Sequence, residues 1–260
     1  MKLVPEKSDA PDPRSRCSDY YKKFVAVARQ GWVTDRDIKV LEMLYKFRFV
    51  SLSQIAKTFY KSTYGKVSAR RRMKKLFENH LVDRFKPWPK YGEGASEYIY
   101  CLDTAGVYFI ASTKGMKLSE MGWRKNDNEI RFAYVLHYLA VADVFIQMDK
   151  ECRIEQFIPE RKYQNNFRAD AYAVFLKQGR RHYWLIEVDL GTEWQQQIKE
   201  KVRSYEQYHN KRKGDKGFIM PYVVWMAYEQ DRLDRLEGWV DESKKINLPY
   251  LYKKISNREE

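Results

Sequence analysis

Two groups of side chains in this 260-residue chain have types and spacing that could do chemistry. The first is a run of cations, Arg70, Arg71, Arg72, Lys74 and Lys75, with Lys66 and Ser68 just before it. Guanidinium and ammonium groups at that density on one helix are an electrostatic footprint for a polyanion, and phosphate is what they would meet. The second is a set of carboxylates, Asp170, Glu187 and Asp189, with Glu160 upstream. Glu187 and Asp189 are two residues apart, so in a strand they share one face. Buried carboxylates need partners, and Arg168, Arg181 and Lys201 could supply them as a structural ion network. No histidine stands at ligand spacing from a cysteine or another histidine, so a zinc site is not indicated. The cysteines, Cys17, Cys101 and Cys152, are odd in number and far apart, which fits reduced thiols in a cytoplasmic protein better than a disulfide framework.

The elements that must position the cations come in a telling order. Thr34 with Asp37 forms an N-cap pair, and Ile38, Leu41, Leu44 and Tyr45 give a helix running to about Phe47. Ser51 and Gln54 make a capping-box pattern for a short second helix bearing Leu52, Ile55, Ala56 and Phe59. A turn ending at Gly65 leads to a third helix, Ser68–Asn79. There Ala69, Met73, Leu76 and Phe77 take the core side, so Arg71, Lys74 and Lys75 project away, flanked by Arg70 and Arg72. Leu81–Phe85 and Ser96–Leu102 read as strands joined by a Pro/Gly-rich loop, whose Lys86, Lys90 and Tyr91 are placed to touch phosphates. A helix, a turn, a basic helix and a hairpin form a winged helix-turn-helix suited to the major groove. A merely solvated basic face is the alternative.

The carboxylates sit in a different kind of segment. Asn128–Met148 has a long helical pattern, and Arg153–Ile158, Ala169–Leu176 and His182–Val188 read as strands. Glu193–Tyr208 is helical, Tyr222–Tyr228 is a buried strand and Asp231–Ser243 is a closing helix. The core order is αβββαβ, with Asp170 on the second strand and Glu187 on the third.

Charge separates the halves. Residues 1–125 hold 26 basic and 13 acidic side chains, and residues 126–260 hold 23 and 22, so almost all of the net +14 belongs to the first half. The expected organisation is therefore a flexible N-terminal segment (1–30), a DNA-binding domain (31–125) and an α/β domain (126–260). The longest apolar run, Tyr222 to Tyr228, is far short of a membrane span, and the polar N-terminus lacks a signal-peptide h-region.

The αβββαβ order with Asp170 and Glu187 resembles the core of the PD-(D/E)xK nuclease superfamily. That resemblance implies two carboxylates holding Mg²⁺ or Mn²⁺ and a lysine positioning water for phosphodiester cleavage. This chain has Ala169 where the proline belongs and Asp189 where the lysine belongs. Lys201, in Lys201-x-x-x-Tyr205, lies near where some of these nucleases carry Gln-x-x-x-Tyr and could replace the missing cation. On this implication the catalytic set is Asp170, Glu187, Asp189 and Lys201, with Asp170 and Glu187 as the metal ligands.

From about Trp32 to Tyr228 the chain also resembles the replication-relaxation family of plasmids and integrative elements. The likeness is carried by the winged helix with Leu102-Asp-Thr-Ala-Gly106, His137 with Asp143, Arg168-Ala-Asp170, Glu187-Val-Asp-Leu-Gly-Thr-Glu193 and Lys201-x-x-x-Tyr205. It implies a role in plasmid replication or in the topological state of plasmid DNA. The leading expectation is a double-stranded DNA-binding replication or maintenance protein of a mobile element, with a non-catalytic second domain and no certain cofactor, Mg²⁺ or Mn²⁺ being possible. A metal-dependent nickase and a winged-helix transcriptional regulator are the alternatives. A homodimer would suit a winged helix, but no heptad repeat fixes one, and no membrane partner is indicated.

Overall fold

The computed structural model describes residues 26–27, 30–87, 96–161 and 168–256. Most of the N-terminal segment expected to be flexible, and the hairpin tip with Lys90 and Tyr91, lie outside the described residues. The protein is of mixed α+β class, with two sheets in two compact units that divide between Ala142 and Asp143.

In the first unit, helix α1 (Asp35–Phe47) starts where the Thr34 hydroxyl accepts from the Asp37 amide at 3.3 Å and the Asp37 carboxylate accepts from the Thr34 amide at 2.7 Å. A two-residue strand, β1 (Val50–Ser51), precedes α2 (Leu52–Phe59), which Ser51 and Gln54 cap in the same reciprocal way. The basic helix α3 (Gly65–Glu78) begins three residues before the expected start at Ser68. Gly65 permits this, because a Cβ there would overlap the Tyr60 carbonyl oxygen at the end of the preceding turn. Strands β2 (Val82–Phe85) and β3 (Ile99–Leu102) are antiparallel, and β1 joins the other side of β3. Helix α4 (Thr104–Lys114) is capped by Asp103, and Gly106 gives the room by which it lies against the Leu81 carbonyl. These two contacts are the local physics of Leu102-Asp-Thr-Ala-Gly106.

The division between units falls within helix α5 (Phe132–Glu151), beyond the expected domain boundary at residue 125. Val135 and Leu139 of this helix are buried with Phe49, Phe85, Ile99 and Cys101, so its first half belongs to the core of the first unit.

The second unit has a five-stranded sheet in the order β4 (Arg153–Pro159), β5 (Ala171–Lys177), β6 (Arg180–Val188), β7 (Tyr222–Ala227) and β8 (Tyr250–Lys254). The first three strands are antiparallel neighbours, and β6, β7 and β8 run parallel. Strand β8 carries no expectation from the sequence. Helices α6 (Gln195–Arg212) and α7 (Gln230–Ser243) pack on one sheet face, where Ile198, Val202, Tyr205, Leu233, Leu236 and Val240 bury Leu185, Val223 and Trp225.

Candidate functional site

On α3, Ala69, Met73 and Leu76 are buried as the periodicity predicts. Phe77 is only half-buried, and it lies under the Arg84 guanidinium, which is 4.3 Å from its ring and 4.2 Å from that of Tyr98. Lys66, Ser68, Arg70, Arg71, Lys74 and Lys75 are exposed. Lys66 is 3.8 Å from Glu97, Lys74 is 3.6 Å from Glu78, and Lys86 lies 4.5 Å over the Tyr98 ring. Exposed pairs at such distances are worth little and can exchange for phosphate.

Arg72 behaves differently. Its Nε donates to Asp37 Oδ1 at 2.8 Å, and its Nη2 donates to Asp37 Oδ2 and, at 2.8 Å, to the Trp32 carbonyl oxygen. The guanidinium also sits over the Trp32 ring at 5.1 Å, and Lys75 Nζ lies 4.3 Å above the same ring. Asp37 has no exposed surface. Burial alone would raise its carboxyl, but the hydrogen bonds from Arg72 and Thr34 prevail and hold it below the ordinary carboxylate range. Arg72 is therefore a clasp between α3 and α1, a different task from its neighbours on the same helix.

In the second unit, the antiparallel register that pairs Ala171 with Ile186 places Asp170, one residue before β5, beside Glu187 on β6. Asp170 Oδ2 accepts from the Val188 amide at 2.8 Å. Glu187 is 1 % exposed, and both of its oxygens are taken: Oε1 by the Tyr205 hydroxyl and Oε2 by Lys201 Nζ at 2.7 Å. Lys201 also donates to Glu193 at 2.6 Å. Arg168 and Arg181, the other cations considered for this network, instead pair with Glu160 at 3.2 Å and Glu155 at 2.7 Å.

Burial pushes the Glu187 carboxyl up, to about 7, against the attraction of Lys201; Asp170 adds to the rise, and the hydrogen bonds from Lys201 and Tyr205 oppose it. For Lys201, burial works towards neutrality, but Glu187, Asp170 and Glu193 together drive it well above the lysine range. The two directions compete over one pair. With three carboxylates around one ammonium, Lys201 keeps its proton, and Glu187 is the member of the pair whose proton affinity burial raises.

Asp189 is also buried, but it lies one residue past the end of β6 rather than on the strand beside Glu187, and it has another partner. Arg232 on α7 grips it with Nε at 3.0 Å and Nη2 at 2.8 Å, and the Gly191 amide also donates to it. Arg232 Nη2 donates as well to the Glu193 carbonyl oxygen. Each acid of Glu187-Val-Asp-Leu-Gly-Thr-Glu193 thus has a cation partner. Arg232 escaped the reading of the sequence, although a signal existed: it lies on the same stripe as Leu236 and Val240, where a charge needs a buried partner.

A divalent metal does not fit this arrangement as it stands. The Glu187 oxygens are occupied by an ammonium and a phenol, and among the described residues no group of three or more His, Cys, Asp or Glu side chains is placed to hold a metal ion. The Lys201 ammonium bridges the carboxylates of Glu187 and Glu193.

The fold is a mixed α+β one with two sheets. The model of the replication-relaxation family matches residues 41–220, and the chain belongs to that family. Membership points to a role in the replication of a plasmid or other mobile element. No curated protein and no solved structure matches the chain. Among the described residues no helix is long and apolar enough to cross a membrane.

Proposed function

We propose that this chain binds double-stranded DNA in the replication or maintenance of a plasmid or other mobile element. In this reading the first unit is a winged helix-turn-helix, with α2 and α3 as the helix pair and β2–β3 as the base of the wing. The observation that carries it is the outward face of α3, where Lys66, Arg70, Arg71 and Lys74 are exposed beyond a core-facing stripe. The second unit is a PD-(D/E)xK nuclease-like fold, supported by its αβββαβ order and by the juxtaposition of Asp170 and Glu187. In this reading it acts without cleaving DNA, because both oxygens of Glu187 are already engaged, by the Lys201 ammonium and the Tyr205 hydroxyl.

The test uses supercoiled plasmid with wild type, Asp170→Ala and Glu187→Ala, each with and without Mg²⁺ or Mn²⁺. The expected result is retarded, uncut plasmid in every lane. Metal-dependent open circles from wild type alone would make the chain a nickase acting through Asp170 and Glu187, with Lys201 as the supplied cation.

A further inference from the structure

Helix α3 presents two apolar side chains that its charge does not explain. Tyr64, the N-cap residue, is 75 % exposed, and Val67, in the first turn, is 47 % exposed. Helical spacing surrounds Val67 with Tyr64 three residues before it, Arg70 and Arg71 three and four after it, and Lys74 seven after it. An isopropyl group thus lies at the centre of the cationic arc. It stands outside the buried stripe of Ala69, Met73 and Leu76 and, being β-branched, adds little to the helix. The edges of this arc are also set, because Arg72 and Lys75 are drawn aside to Asp37 and Trp32. The group that faces outward is therefore Tyr64, Val67, Arg70, Arg71 and Lys74.

A cationic surface alone reads phosphate and carries no sequence information. In the major groove the apolar feature of the base edges is the 5-methyl group of thymine. We propose that Val67, with Tyr64 beside it, is a specificity-determining residue that packs against thymine methyl groups while Arg70, Arg71 and Lys74 neutralise the adjacent phosphates. This rests on the reading of α3 as the helix that enters the groove. The class of site it selects is duplex DNA with thymine under the first turn of α3.

The experiment selects a preferred duplex from a fluorescein-labelled random-sequence pool with the full chain. That duplex is then remade with uracil for thymine, which removes only methyl groups. Wild type is expected to bind the uracil duplex about fourfold more weakly for each methyl group that Val67 and Tyr64 would cover. Tyr64→Ser/Val67→Ser, which removes both apolar groups at exposed positions, is expected to bind both duplexes equally with an unaltered salt dependence. Equal wild-type affinity for the two duplexes, or a Tyr64→Ser/Val67→Ser variant that still discriminates, overturns the proposal and leaves DNA binding by α3 standing. Absence of salt-dependent binding of any duplex by wild type, or wild-type binding by the Arg70→Ala/Arg71→Ala variant, overturns the reading of α3 itself.

Discussion

Lys201 reaches the sheet from α6 and meets Glu187 and Glu193 within hydrogen-bond distance, so removing its charge strands two carboxylates. Lys201→Met should cost about 3–5 kcal/mol, the usual penalty for breaking a buried pair from one side, measured by urea unfolding. The pH dependence of Glu187 has a definite sign. Its folded-state pKa of about 7 lies above the ordinary glutamate value, so the stability tied to its proton is complete below about pH 4.3 and disappears as pH rises through 7. The melting temperature of wild type relative to Glu187→Gln should therefore fall between pH 5 and pH 8. A rise over that interval would mean that the ion pair outweighs the burial. Lys201 was legible in the sequence through the likeness of Lys201-x-x-x-Tyr205 to a nuclease motif, and in the structure both side chains of that pair reach Glu187. The pairing of Asp189 with Arg232 was not, since 43 residues separate them and only the packing of α7 joins them.

Helix starts were readable where a side chain makes the cap. Thr34 with Asp37 and Ser51 with Gln54 announce α1 and α2 because both hydrogen bonds of each box are local. The start of α3 is hidden in the sequence because its N-cap, Tyr64, makes no side-chain hydrogen bond and Gly65 resembles a stop. The actual task of Gly65 is closeness: the helix begins against the Tyr60 carbonyl, where any side chain intrudes on backbone. Gly65→Ala should destabilise the first unit by about 1–3 kcal/mol and weaken duplex binding by tilting α3, whereas Gly214→Ala, with open space around it, should do neither. Circular dichroism melts and a duplex titration would check both. Strands β1 and β8 escape a sequence reading for another reason. A two-residue strand has no period to detect, and Tyr250–Lys254 places aromatic and basic residues in a pattern whose partner, β7, is established only by the fold.

At the scale of the whole molecule, the uneven charge makes the proposed duplex binding a property expected of one unit. Arg70→Ala/Arg71→Ala should reduce the slope of log K against log salt by about two, since each phosphate that a cation neutralises contributes about 0.9. Lys253→Ala/Lys254→Ala, which removes equal charge from an exposed strand of the near-neutral half, should leave that slope almost unchanged. Equal reductions in the two variants would show that both units track the backbone. The lysine at the centre of the second unit has a further consequence. Its counter-charge is covalently attached and delivered with the polypeptide, one per chain, so it can be neither diluted away nor exchanged for a different ion. Incubation with a strong chelator should leave the unfolding curve where it was, and the fold of this unit would be independent of the supply of divalent ions around it.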